Sequence, residues 1–310
     1  MMRRPLICRR VKFRNQTDIY SKHFPFLGWY YICKTFIKMA RAKVNHIEIA
    51  YETAGNGTPV VLIHGHPFDH TMWYPQVKAF SDSYKVITPD LRGYGKSSLP
   101  GSMATKFEDY ATDILLLMDH LKIESFHLAG LSMGGQVIME IFRQAPERIK
   151  TLVFADTFAG LDTPDVKKGR YDTAKRLETE GMDAYADEVI YKMITPTHVS
   201  SMPGAAGHVI KMMKATSPKA AATAMRARSE RINYLTEVLP KIDIPTLVIV
   251  GRDDEFTPVA KAVELKENLQ NCKFIIIEDA GHMPNLEQPE EFNKAVLDFL
   301  EGVNYPESSF

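Results

Sequence analysis

Residues 126–143 read Phe126-His127-Leu128-Ala129-Gly130-Leu131-Ser132-Met133-Gly134-Gly135-Gln136-Val137-Ile138-Met139-Glu140-Ile141-Phe142-Arg143, and their reading decides the fold. Phe126–Ala129 is a short apolar run with the character of a buried strand, and Gln136–Arg143 is helix-like and stops near Pro146. A glycine-bracketed turn joins them. Glycines two places either side of Ser132 let strand and helix approach closely, and the serine takes a strained backbone conformation at the apex. Its hydroxyl is thereby lifted off the sheet, beside backbone N–H groups at a helix N-terminus.

The same alternation extends in both directions. His46–Thr53 alternates apolar and polar and reads as an edge strand, while Pro59–Ile63, Tyr84–Pro89, Thr151–Ala155, Thr246–Val250 and Phe274–Ile277 are further apolar runs. Phe107–Leu121, Val259–Leu269 and Pro289–Leu300 carry helical spacing. Buried β runs separated by helix-length segments predict an α/β fold: a mostly parallel twisted sheet with helices on both faces. Such sheets carry their chemistry on loops at the carboxyl ends of strands. Residues 158–239 break the alternation. They hold no β-branched run but two cap-then-proline helix starts, Thr163-Pro164 and Ser217-Pro218. They are expected to form a helical cap over the carboxyl edge, inserted between core segments 39–157 and 240–310.

A serine hydroxyl is a poor nucleophile until a base takes its proton and a carboxylate orients that base. Both follow Ser132 in the chain, each after an apolar run. Gly251-Arg252-Asp253-Asp254-Glu255 comes after Thr246–Val250, and Gly281-His282-Met283-Pro284 after Phe274–Ile277. His282 is the expected base. Of the three consecutive acids only one can face it, and Asp254 is the choice. Asp156, which ends another run on the same edge, is the second candidate. Backbone N–H groups of Met133 and of His66, in the loop His64-Gly65-His66-Pro67, are expected to form the hole for a developing oxyanion. His64 is read as a brace for that loop.

Together these residues resemble the α/β-hydrolase superfamily. The likeness is carried by His64-Gly65-His66-Pro67, Asp90-x-Arg92-Gly93-x-Gly95-x-Ser97, Gly130-x-Ser132-x-Gly134, Gly251-x-x-Asp254-x-x-x-Pro258 and Gly281-His282, over about residues 44–301. Ser132-Met133-Gly134-Gly135 and the tail His282-Met283-Pro284-Asn285-Leu286-Glu287-Gln288-Pro289 look most like small esterases and enol-lactonases, and Pro67 like the cofactor-free haloperoxidases of the same subgroup, which are perhydrolases. The resemblance implies a Ser132–His282–Asp254 triad, a helical cap, a small ester or lactone substrate, and no cofactor or metal. Serine at position 132 disfavours the epoxide hydrolases and haloalkane dehalogenases, which carry aspartate there. A ligand receptor or signalling protein on the same fold is the alternative of another class.

Competing motifs are weaker. His64-x-His66-x-x-Asp69-His70 nearly matches a dinuclear zinc signature, but its Asp-His pair is displaced by one residue, with Phe68 where the aspartate belongs. Gly95-Lys96-Ser97 lacks the earlier glycine of a P-loop, where Asp90 stands. Asn15-Gln16-Thr17 and Asn56-Gly57-Thr58 are read as chance glycosylation sequons, and Cys272 as a small core residue. Trp73, Phe158, Met193, Met212 and Met213 are assigned to packing rather than to a substrate pocket. Arg170, Arg226 and Arg228 in the cap would suit an acidic substrate, although solvated faces are the favoured reading.

The 310 residues carry a formal net charge of +0, which disfavours nucleic acid as a partner. That zero is a sum of unlike parts. Residues 1–38 hold nine basic side chains against one acid, Asp18, and the rest of the chain offsets them. The leader contributes no catalytic motif and is expected to lie outside the fold, with Met39 the natural initiator and the enzyme cytoplasmic. An organelle transit peptide or a membrane-surface segment would share its composition. The apolar run Phe24–Cys33 is too short for stable membrane insertion. Oligomeric state has no signature in the sequence.

Overall fold

Strands buried on both faces need continuous aliphatic runs, and Phe126–Leu131 and Thr246–Gly251 are buried at every position. The computed structural model describes residues 38–101 and 105–303, with eight strands in one sheet. These are β1 (Lys38–Val44), β2 (Ile47–Ala54), β3 (Thr58–Ile63), β4 (Tyr84–Pro89), β5 (Phe126–Leu131), β6 (Ile149–Ala155), β7 (Thr246–Gly251) and β8 (Cys272–Ile277). Their order is β1-β2-β4-β3-β5-β6-β7-β8. β1 and β2 are antiparallel, as are β2 and β4, and every other neighbouring pair is parallel.

Helices cover both faces. α1 (Tyr74–Phe80), α2 (Phe107–His120) and α3 (Met133–Gln144) follow β3, β4 and β5. The period of two along β3 sorts the layers: Val61 and Ile63 pack with Tyr110 and Ile114 of α2 and Val137 of α3, whereas Val60 and Leu62 pack with Val77 and Phe80 of α1.

The edge strand differs from expectation. His46–Thr53 falls in β2, one place inside the sheet, and β1 forms the edge, paired from Lys38↔Thr53 to Val44↔Ile47. Asn45 and His46 turn this hairpin with φ of 46° and 64°, the left-handed pair that a tight two-residue turn requires. Lys38-Met-Ala-Arg-Ala-Lys-Val44 has little β propensity and is held by pairing and by burial of Ala42 and Val44. The strand includes Lys38, the last residue assigned to the leader; residues 1–37, with Met1-side basic residues, Cys8, Cys33 and Asn15, lie outside the described residues. Cys272 begins the opposite edge strand and is half-buried.

Between β6 and β7 lie α4 (Pro164–Glu180), α5 (Asp183–Met193), α6 (Pro196–Ser201), α7 (Pro203–Ala215), α8 (Pro218–Ser229) and α9 (Tyr234–Glu237). Thr163 and Ser217 cap α4 and α8 as the cap-then-proline signals predict, accepting from Val166 and Ala220 N–H. Ala174 and Leu177 of α4 pack on Ala221, Ala222 and Met225 of α8. The helices rest on the loops at the strand ends: Thr216 Oγ1 donates to Pro67 O at 2.8 Å, and Thr195 N–H to Glu287 Oε2 at 2.9 Å. Beyond them α10 (Val259–Glu267), α11 (Pro284–Glu287) and α12 (Pro289–Gly302) complete the core. Met193, Met212, Met213 and Trp73 are buried in one apolar cluster, with Trp73 against Phe292 at 6.2 Å. No helix of the described residues is long and apolar enough to cross a membrane.

Candidate active site

Ser132 stands between β5 and α3 with φ 57° and ψ −117°, a conformation that costs an L residue roughly 1–3 kcal/mol. The surroundings over-determine it. Ser132 N–H donates to Ala155 O at 2.9 Å, and Thr157 Oγ1 donates to Ser132 O at 2.7 Å. A Cβ on Gly134 would lie 2.2 Å from Ile63 O, so the start of α3 can press this closely against β3 only with glycine there.

The loop after β3 reaches the same point. A Cβ on Gly65 would lie 3.2 Å from Ser132 Cβ. His64 braces that loop with both ring nitrogens: Nδ1–H donates to Gly65 O at 2.8 Å and Nε2 accepts from Leu91 N–H at 2.9 Å. Both are therefore engaged with backbone, which leaves His64 no lone pair for the zinc reading. His66 Nδ1 bonds Tyr94 Oη at 2.7 Å, and burial, followed by the charges of Arg228 and Arg170, holds its imidazole well below the ordinary histidine range. The backbone N–H groups of His66 and Met133 are the donors of no hydrogen bond among the described residues.

Two strands from β5, the expected acid and base meet. Asp254, after β7, accepts His282 Nδ1–H on Oδ2 at 2.8 Å. Its Oδ1 accepts backbone N–H groups of Phe256 and Thr257 at 2.8 and 3.0 Å, and Thr257 Oγ1 donates to Oδ2. Burial works to raise the Asp254 carboxyl, but the His282 charge and these bonds win and hold it down to about 2. With the proton on Nδ1, Nε2 of His282 carries the lone pair. The hydrogen bonds of His282 go to Asp254 and Thr257 rather than to Ser132; what relates Ser132 to the pair is the side-by-side order of β5, β6, β7 and β8.

Asp156 is the contrasting carboxyl. It ends β6, and its ligand-capable oxygen lies within 4.8 Å of those of Asp254 and His282. Burial first, and the Asp254 charge second, push it well above the usual carboxylate range, which favours its neutral form. Its Oδ1 accepts Gly251 N–H at 2.9 Å and its Oδ2 is buried without a partner. Asp253 and Glu255 are exposed.

Other residues of the motifs position these loops. Asp90 accepts His70 Nδ1–H at 2.7 Å and Lys96 N–H at 2.8 Å, and Arg92 forks onto Asp113 through two 2.6 Å bonds. Glu287 escaped the sequence reading although it stands in the quoted tail. Buried, it takes Gly281 N–H on Oε1 at 2.8 Å and His198 Nδ1–H on Oε2 at 2.9 Å, tying the His282 loop to α6 of the cap. The three cap arginines divide. Arg226 is half-exposed on Glu178, as a solvated face requires, but Arg170 is paired with Asp162 and mostly covered, and Arg228 is buried. The solvated-face reading is corrected for these last two: α8 turns its Arg228 side toward the core, where neighbouring Ala220, Ala221 and Ala224 are also buried.

The Alpha/beta hydrolase family model matches residues 60–295, and the chain belongs to that family. It is 29% identical over 248 residues to 3-oxoadipate enol-lactonase 1 of Acinetobacter baylyi, covering 80% of this chain and 90% of the relative. A putative non-heme chloroperoxidase of Synechocystis is 30% identical over 267 residues, covering 82% and 95%. A solved thermophilic esterase from Thermogutta terrifontis, with malate bound, superposes at a TM-score of 0.80 and 33% identity, covering 87% of this chain and 98% of that one. The protein is accordingly an enzyme, a hydrolase similar to esterases and enol-lactonases.

Proposed function

We propose that the protein hydrolyses small carboxylic esters through an acyl-enzyme. Ser132 attacks the carbonyl while His282 Nε2 accepts the hydroxyl proton, and Asp254 holds the imidazole tautomer and stabilises the imidazolium. The N–H groups of His66 and Met133 receive the oxyanion, a contribution of about 3–4 kcal/mol per donor in such sites. His282 then protonates the leaving alcohol and activates water for deacylation. The observation that carries this reading is the strained φ of 57° at Ser132, a non-glycine residue held at the head of α3 beside two uncommitted backbone donors. Nothing in ordinary packing calls for a serine in that conformation.

Lactone or enol-lactone hydrolysis by the same residues is the second reading, favoured by the likeness to the Acinetobacter enol-lactonase. A perhydrolase side reaction is motivated by Pro67 and the likeness to the chloroperoxidase. Kinetics on a panel of p-nitrophenyl esters, γ- and enol-lactones, and acetate plus peroxide separates the three. Ser132→Ala should lower turnover of every active substrate by about 10⁵-fold while keeping the melting temperature within a few degrees. Full activity in that variant removes the nucleophile assignment.

A further inference from the structure

The cap carries a buried cation that the proposed reaction does not use. Arg228, on the last turn of α8, is only 7% exposed. Its Nε donates to Gln136 Oε1 at 3.1 Å, and no acid reaches it among the described residues. A guanidinium has five N–H donors, so the four on Nη1 and Nη2 lack an acceptor among the described residues.

The surroundings make matters worse for the cation. Arg170 takes both oxygens of Asp162, at 2.7 and 3.2 Å, and Arg231 approaches the same carboxylate at 3.7 Å. Two guanidiniums therefore already contend for that acid, and Arg228 makes no ion pair with it. Burial, then the charges of Arg170 and Arg231, outweigh the pull of Asp162 and push the Arg228 guanidinium well below its ordinary value, although arginine keeps its proton.

Arg228 is also close to the chemistry. Gln136 belongs to the first turn after Ser132, and its N–H donates to Ser132 O at 3.4 Å. The Arg228 charge is felt at His66 and at Tyr94, which is bonded to His66. His66 Nε2 is itself buried without a partner.

We propose that Arg228 is the specificity residue for a carboxylate carried by the ester or lactone substrate, its Nη1–Nη2 edge forming a fork–fork pair with that group. This rests on the hydrolase reading of Ser132. A planar edge of paired donors matches a carboxylate, and a single unpaired guanidinium balances one negative charge. The cap thus selects an acid-bearing substrate and sets it beside the oxyanion loop.

The test uses p-nitrophenyl hemisuccinate, hemiglutarate and hemiadipate, each against the neutral ester of the same chain length. In the wild type the best acid ester should exceed its neutral partner in kcat/KM by at least about tenfold. Arg228→Met should cut that ratio by about 10²-fold, mainly through KM, with Arg228→Lys intermediate. Removal of an unpaired buried charge should leave the melting temperature of Arg228→Met unchanged or raised. A wild-type ratio near one, or a ratio that survives in Arg228→Met while its melting temperature drops, overturns the proposal and makes Arg228 structural.

A binding arm does not depend on turnover or on an Arg228 variant. Glutarate should raise the melting temperature of the Ser132→Ala protein, and glutaramide should not; equal effects of the two overturn the proposal. Hydrolysis that persists in Ser132→Ala would instead remove the nucleophile and leave the glutarate result standing.

Discussion

At the carboxyl edge of the sheet, buried basic side chains have carboxylates of their own: His70 has Asp90 and Glu52, Arg92 has Asp113 and Asp109, and His282 has Asp254. In the cap, Arg170 and Arg231 lie around Asp162, and Arg228 keeps only an amide partner among the described residues. The two regions bury charge to different ends. The basic groups of the sheet edge are paired without a ligand, which holds their loops in one geometry before substrate arrives. The cap face is incomplete, and an anion that completes it gains more than it would from a site already paired.

If the surroundings favour the neutral form of Asp156 and the charged form of Asp254, their amide variants should differ sharply. Asp254→Asn should lower kcat by about 10⁴-fold, since the asparagine favours the wrong imidazole tautomer. Asp156→Asn, which imitates a neutral acid, should cost less than about tenfold. Comparable losses would show that the two carboxyls share the task.

The His70 cluster offers a pH test of the same pairing. Despite burial, hydrogen bonds to Asp90 and Glu52 raise the His70 imidazole to about 10. A folded value above the unfolded one gives stability that is full below about pH 6.5 and is lost as pH rises toward 10, on the order of 4 kcal/mol in total. Urea midpoints measured from pH 6 to 10 should fall accordingly, and His70→Gln should flatten the decline. Parallel profiles for the two proteins would exclude His70 as its source.

The smallest effect concerns backbone strain. Ser132→Gly should be about 1 kcal/mol more stable than Ser132→Ala, because glycine accepts φ 57° without a Cβ clash. Equal stability would mean that the elbow stores no strain.

Much of this molecule was legible locally. The runs that end at Ile63, Pro89 and Ala155 showed as strands because parallel strands buried on both faces must be apolar throughout. Thr163-Pro164 and Ser217-Pro218 marked cap helices because a side-chain acceptor followed by proline suits only a helix start. The site residues were nominated by glycine-bounded motifs after strands, in the order Ser132, Asp254, His282. β1 was illegible, since Ala, Lys and Arg become a strand there only through pairing with β2.

Residues close in sequence thus determined the elements, the elbow and the roster of candidate side chains, because propensity, turn geometry and burial period are local properties. Charge state and partnership were decided by tertiary structure alone. Asp156 and Asp254 are the same residue type after neighbouring strands, yet the first is pushed well above the usual carboxylate range and the second is held down to about 2, because Asp254 is the one hydrogen-bonded to an imidazole. Arg226 and Arg228 are two residues apart on one helix, yet Glu178 meets the first and no acid meets the second. Electrostatic fate depends on what the fold brings within a few ångströms, and desolvation makes that proximity decisive.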